Sequence, residues 1–97
     1  MILHIVSTSP FQNDALQRCL QIATSEDAIL LTEDATLGLL NPAHFLTKNL
    51  PTFRLFALEP DLQARGITVP ESLQVTAVDY DGFVTLTTQY AKTVSWF

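Results

Sequence analysis

Residues Leu55–Gly66 read LFALEPDLQARG, a short apolar run that gives way to a polar segment. The apolar run has the length and composition of a buried strand. Pro60 then suits the first turn of a helix, and Gly66 suits the residue just beyond its end. The stretch Val75–Trp96 (VTAVDYDGFVTLTTQYAKTVSW) also begins as a strand and continues as a helix. Two such units in succession predict an α/β fold.

The rest of the chain continues this alternation. The predicted strands are Ile2–Val6, Ala28–Leu31, Phe53–Leu58 and Leu73–Val78. The predicted helices start at Ser9-Pro10, cover one or two turns of Glu33–Leu40, run from Asn41-Pro42 to Leu50, and span Pro60–Arg65 and about Asp81–Ala91. Strands that alternate with helices imply a mainly parallel sheet with helices on both faces. We therefore expect a single domain over residues 1–97, a small three-layer α/β/α fold of flavodoxin-like type.

The composition favours a subunit over a free monomer. Of the 97 residues, 47% are hydrophobic and only 15% are charged, where about 25% charged is usual. A single small core cannot hide that much apolar side chain. Part of it should therefore lie on the surface as patches that contact another protein.

The charge distribution argues against direct nucleic-acid binding. The net charge is −5, and the five basic residues form no run or stripe that could neutralise phosphates. These residues are Arg18, Lys48, Arg54, Arg65 and Lys92. An acidic surface of this kind can still meet a basic partner protein.

Other features of the sequence argue against several further classes of function. Cys19 is the only cysteine, so the chain can form neither an internal disulfide nor a cysteine-rich metal site. The three glycines are isolated and make no nucleotide-binding loop. The N-terminus lacks the basic start of a signal peptide, and no stretch approaches the ~20 apolar residues of a membrane span. We expect a cytoplasmic protein with no cofactor and no metal.

Three single residues are candidates for chemistry. Cys19 lies on the apolar stripe of the first predicted helix, where a packed cysteine is favoured over a sulfur carrier because reactive thiols need an accessible, electropositive setting. His4 lies within the first strand and His44 in the first turn of a helix. Neither histidine has a carboxylate or cysteine at a recognisable ligand spacing. We expect His4 to be a hydrogen-bonded strand residue and His44 a solvated surface group.

Paired acids follow two of the predicted strands, where parallel sheets collect ligands. Glu33-Asp34 and Asp79/Asp81 could hold a divalent cation or act in acid–base chemistry. Capping of the helices that follow explains all four equally well, and we favour it. The last two residues, Trp96-Phe97, either fold back on the chain's own core or anchor a partner.

Four blocks, taken in order, resemble the TusB/DsrH family of small sulfur-relay subunits. They are LHIVSTSPF at Leu3–Phe11, AILLTEDA at Ala28–Ala35, LFALEPDLQARG at Leu55–Gly66 and VDYDGFVTLTTQY at Val78–Tyr90, followed by Ser95-Trp96. The resemblance implies a DsrE/DsrH-like fold and a heterohexamer with two copies each of this chain and of TusC/DsrF-like and TusD/DsrE-like sister subunits.

In that family the complex takes persulfide sulfur from a TusA-like donor and passes it to a TusE/DsrC-like carrier. In the Tus branch the sulfur ends at the 2-position of the wobble uridine of certain tRNAs, and in the Dsr branch the complex serves dissimilatory sulfur oxidation. In the family the main sulfur-carrying cysteine belongs to the TusD/DsrE sister, so the resemblance implies that this chain is an accessory subunit, non-catalytic or weakly participating.

The segment Leu16–Ala23 (LQRCLQIA) is similar to DsrH-type members that carry a cysteine in this helix, whereas TusB-type members often lack it. Cys19 therefore leaves both branches open. Two rival hypotheses also stand: a sulfurtransferase that uses Cys19 directly, and a homo-oligomeric interaction module without a sulfur role.

Overall fold

A computed structural model describes residues 1–41, 54–71 and 73–97. The strands are β1 (Ile2–Val6), β2 (Ala28–Leu31), β3 (Arg54–Leu58), β4 (Val75–Val78) and β5 (Lys92–Trp96). The helices are α1 (Ala15–Ile22), α2 (Glu59–Ala64) and α3 (Tyr80–Gln89), and a 3₁₀-helix covers Glu33–Leu40. Strands and helices alternate throughout these ranges, as the sequence predicts.

The five strands form one sheet in the order β4-β3-β2-β1-β5, and every neighbouring pair is parallel. The chain steps across the sheet from β1 to β4 and then returns past all of them to place β5 beside β1. Within the described residues, β4 and β5 are therefore the two edges. The register sets Val6 beside both Leu31 and Trp96.

The chain crosses the sheet in two opposite directions, and this places helices on both faces of the sheet. Right-handed crossovers in opposite directions cover opposite faces of a sheet, and the core divides accordingly. The first face holds the larger cluster, in which α1, the 3₁₀-helix and α2 contribute Leu16, Leu39 and Leu62. On the second face, Leu86 of α3 and Tyr90, the residue that follows α3, pack on Leu3 and Leu30. The predicted three-layer fold is confirmed.

The expected start of the first helix at Ser9-Pro10 is wrong. The Ser9 Oγ accepts a hydrogen bond from the Phe11 backbone N–H. The Ser9 carbonyl accepts from the backbone N–H groups of Gln12 and Asn13. These bonds close a turn in place of a first helical turn. The helix begins five residues after Pro10, at Ala15, whose N–H donates to the Asn13 side chain.

The fifth strand is missing from the sequence prediction, which extends the last helix to about Ala91. α3 ends at Gln89, and β5 follows after only two residues. A strand that begins so soon after a helix gives no separating loop or proline to mark it. Its residues Thr93 and Val94 do have the branched side chains that strands favour.

The remaining boundaries agree within two residues: β4 starts at Val75 where Leu73 was expected, and α2 starts at Glu59 where Pro60 was expected. Gly66 has φ +62°, the left-handed conformation that closes a helix. The predicted helix from Asn41-Pro42 to Leu50, with His44 in it, lies outside the described residues.

Candidate functional site

Cys19 faces the sheet from the middle of α1. Its side chain is fully buried in the first-face cluster, in which Trp96 is a partly buried neighbour. Burial, with a smaller contribution from the nearby negative charge of Asp27, raises the pKa of the Cys19 thiol to about 12. At neutral pH only about one molecule in 10⁵ would carry the reactive thiolate.

His4 links three parts of the chain through its ring. Its Nε2 lies 3.0 Å from Asp27 Oδ2, and its Nδ1 accepts a hydrogen bond of 3.0 Å from Trp96 Nε1. Both His4 and Asp27 are buried, at 1% and 4% exposure. The expectation of a hydrogen-bonded strand histidine is confirmed.

The Asp27 carboxylate makes three contacts just before β2. Its Oδ1 accepts from the Ile2 N–H, and its Oδ2 accepts from the Thr24 N–H and lies against His4. Burial by itself would raise the pKa of this carboxyl. The hydrogen bonds from His4, Thr24 and Ile2 outweigh burial and lower the pKa to about 2.

The two C-terminal aromatics separate. Trp96 turns inward against α1 and β1, and the Arg18 guanidinium lies 5.9 Å from the centroid of its ring. Arg18 also donates to the Phe97 backbone carbonyl at 3.1 Å. The Phe97 side chain is 78% exposed. The tail thus folds back on the chain's own core through Trp96 alone.

At the carboxyl edge of the sheet, the connections that follow β3 and β4 leave toward opposite faces. The helix after β3 packs on the first face and the helix after β4 on the second. Open parallel sheets bind ligands at the carboxyl ends of their strands. The residues at this point are the acids Glu59, Asp61, Asp79 and Asp81, beside Tyr80, which is 61% exposed.

Most of the acids at this edge have structural partners. Asp79 caps α3 by accepting from the Gly82 N–H at 2.8 Å, as the capping interpretation predicts. Asp61 Oδ2 accepts from the Glu33 N–H, and Asp34 pairs with Arg65 at 2.9 Å. Glu33 has φ +49°, and this contact with Asp61 helps to hold it.

Within residues 1–41, 54–71 and 73–97, no group of three or more histidine, cysteine, aspartate or glutamate side chains is arranged to hold a metal ion. The same part of the chain has no helix long and apolar enough to cross a membrane.

Asp27 is the residue of this region that sequence reasoning missed. It is 23 residues from His4 and four residues after Ala23, and no motif joins them. The only available signal is its position directly before a fully apolar strand that was itself predicted. An acid there lies beside β1 once β1 and β2 pair.

The family model described as DsrH like protein matches residues 8–93. The match covers most of the chain. The chain belongs to the DsrH family.

Curated relatives agree with DsrH membership. The Protein TusB of Serratia proteamaculans is 39% identical over 97 residues and that of Yersinia pestis 38%; each match covers 98% of this chain and all of the relative. The Protein TusB of Pectobacterium parmentieri is 32% identical over 96 residues, again with 98% and 100% coverage. The resemblance drawn from the four sequence blocks is confirmed.

Two solved structures share the fold of this DsrH-family chain. The ychN protein from E. coli matches with a TM-score of 0.74 and 16% identity, covering 97% of both chains. Protein Tm0979 from Thermotoga maritima matches with a TM-score of 0.66 and 22% identity, covering 92% of this chain and 93% of its own. At these identities the likeness concerns the fold alone.

Proposed function

We propose that this chain is an accessory subunit of a sulfur-relay complex that passes persulfide sulfur toward 2-thiolation of the tRNA wobble uridine. The observation that carries the proposal is the full-length match, at up to 39% identity among the relatives compared, to proteins named TusB. These names favour the tRNA branch over dissimilatory sulfur oxidation. The complex works in the cytoplasm.

The chain's partners are a TusC-like and a TusD-like sister subunit, with a TusE-like carrier reached through the complex. The surface supports a subunit role. Large apolar side chains lie exposed on it: Met1, Ile22, Leu40, Tyr80, Val84 and Phe97. Exposure of so many apolar groups on so small a domain favours burial against other chains.

Cys19 is a packing residue in this proposal. In persulfide transfer, the acceptor thiolate attacks the outer sulfur of the donor persulfide. A new S–S bond forms, the donor S–S bond breaks, and the donor sulfur leaves as a thiolate that takes up the acceptor's proton. An acceptor must therefore ionise and be reached. A fully buried thiol with a pKa of about 12 meets neither condition.

The test is co-expression with the sister subunits, followed by native mass spectrometry and mass detection of persulfide on each cysteine. We expect one defined hetero-oligomer that contains this chain. Cys19→Ala in this chain should leave sulfur transfer to the carrier within about twofold of wild type, because the residue only fills space. The matched control replaces the sulfur-carrying cysteine of the TusD-like sister, which should abolish transfer.

Two results would contradict the proposal. A stable monomer or homo-oligomer that ignores both sisters would leave an interaction module without a sulfur role. Persulfide on Cys19, with transfer lost in Cys19→Ala, would make the chain a sulfurtransferase in its own right.

A further inference from the structure

The ring of His4 lies between two groups of fixed hydrogen-bonding character. The Trp96 indole N–H can only donate, and an ionised carboxylate such as Asp27 can only accept. His4 Nδ1 must therefore be the unprotonated nitrogen, and Nε2 must carry the proton that points at Asp27. The two contacts together fix one neutral tautomer of the ring.

A second proton on this ring has only one place to go, which is Nδ1. There it would face the Trp96 N–H across the 3.0 Å that now separates the two nitrogens. Two donors at that distance repel each other, so the Trp96 contact cannot survive. The Asp27 contact responds in the opposite way, because an imidazolium attracts a carboxylate more strongly than a neutral ring does.

The charged and titratable groups around His4 favour this outcome. Asp27, at the start of β2, keeps its charge in mild acid because its pKa is about 2. From α1, Cys19 stays neutral with a pKa of about 12, and the Arg18 guanidinium lies 5.9 Å from the centroid of the Trp96 ring. From β5, the exposed Lys92 pairs with Ile2, two positions along β1 from His4.

The strand that carries Trp96 is attached on one side only. β5 pairs with β1 and is an edge strand within the described residues. Its side chains Lys92 to Ser95 are exposed, and only Trp96 is partly buried. Within the described residues, two hydrogen bonds outside the β1 ladder hold the end of β5: Trp96 to His4 and Arg18 to the Phe97 carbonyl. The Trp96 ring also packs on the first-face cluster and lies near the Arg18 guanidinium.

We propose that His4 is a proton-sensitive latch on the C-terminal strand: a proton added at Nδ1 breaks the Trp96 hydrogen bond while Asp27 keeps hold of the ring, and the end of β5 is released from the core. The device goes beyond a role in sulfur relay, since it would control how the C-terminal edge of the sheet is presented to any partner.

The experiment follows the indole N–H by NMR on the full-length chain, in whichever assembly it purifies. The chain has a single tryptophan, so this group gives one cross-peak. On acidification from about pH 8, we expect the rate of exchange of this proton with water, corrected for base catalysis, to rise tenfold or more as the His4 ring takes up its second proton. The His4 ring resonances should change over the same interval.

Matched substitutions separate the latch from general acid effects. His4→Asn can accept a hydrogen bond from Trp96 but cannot take up a proton, so the pH-dependent step in indole exchange should disappear. His44→Gln removes the only other histidine and should leave the step unchanged. Arg18→Gln, at a half-exposed site, removes the hydrogen bond to the Phe97 carbonyl together with the Asp14 ion pair and the contact with the Trp96 ring. It should shift the step to higher pH and requires no change in the core.

Three results would overturn the latch. One is an indole exchange rate that stays constant while the His4 ring takes up its proton. Another is a step that persists in His4→Asn. The third is a His4 ring that takes up no proton before the chain unfolds. None of these results bears on whether the chain assembles with the sister subunits. Failure of the latch can therefore be told apart from failure of the sulfur-relay proposal.

Discussion

At the scale of single residues, Asp27 does more than its position in the sequence suggests. One carboxylate satisfies the backbone N–H of Ile2 at the start of β1, the N–H of Thr24 in the loop before β2, and the ring of His4. His4 is buried and Ile2 is partly buried, so both would cost free energy if left without a partner. Asp27 thereby joins the first two strands at their amino ends.

The pKa of Asp27 predicts how stability depends on acid. In the folded chain this pKa is lowered from 3.8 to about 2, so the folded state favours the carboxylate. Its contribution to the free energy of unfolding is present above about pH 4 and is lost as the pH falls to about 2. The size of the shift corresponds to about 2 kcal/mol. Urea unfolding of wild type and Asp27→Asn across this range measures it.

Asp27→Asn should be less stable than wild type at neutral pH, and the two curves should converge near pH 2. Asp14→Asn is the control, because Asp14 is exposed and pairs only with Arg18 across one helical turn. Its curve should stay parallel to wild type. An acid dependence of Asp27→Asn equal to that of wild type would contradict this account.

At the scale of elements, the start of α3 agrees with its sequence signal and the start of α1 does not. Both predicted helix starts carry a residue whose side chain can cap a helix. Asp79 accepts from the Gly82 N–H, three residues on, and a helix follows at once. The Ser9 hydroxyl accepts from the N–H only two residues on and closes a turn. The same local chemistry thus supports either structure, and packing against the sheet decides which one forms.

Removal of the α3 cap should cost about 1 kcal/mol. Asp79→Ala leaves the Gly82 N–H without its side-chain partner and removes a negative charge from the positive end of the helix dipole. Asp79→Asn keeps the hydrogen bond and should lose much less. Thermal or urea unfolding of the two variants measures the difference. Equal losses would show that charge, and not the hydrogen bond, stabilises this helix start.

At the scale of the whole molecule, the two faces of the sheet are covered unequally. Within the described residues, α1, the 3₁₀-helix and α2 pack on the first face, and α3 is the helix that packs on the second. Among the described residues, the second cluster has five buried members, Leu3, Ala28, Leu30, Leu86 and Tyr90. Each side chain that α3 contributes there therefore carries a large share of the attachment of that layer.

Leu86→Ala should destabilise the chain by about 3 kcal/mol, because it opens a cavity between α3 and the sheet. Val84→Ala lies on the same helix but is 62% exposed, and it should change the free energy of unfolding by no more than about 0.5 kcal/mol. Chemical denaturation of both variants measures the ratio. A small loss in Leu86→Ala would mean that α3 is not the main cover of this face. If Val84 is covered by a sister subunit, Val84→Ala should weaken assembly instead.

The sequence by itself determined the fold class, four of the five strands and the family. Apolar runs of strand length and residues that start or stop helices act over a few positions, so they can be recognised in the sequence alone. Four blocks in the right order were enough for the family. The cap at Asp79 was found in the same way, from local chemistry.

Only the tertiary structure decided the fifth strand and the arrangement around His4. β5 exists because it pairs with β1, at the other end of the chain. Trp96 and His4 are 92 residues apart, and Asp27 reaches His4 only after β1 and β2 pair. Contacts of this kind arise when the sheet closes, and no local pattern encodes them. The burial of Cys19 has the same origin, since a mid-helix thiol becomes inaccessible only when the helix packs on the sheet.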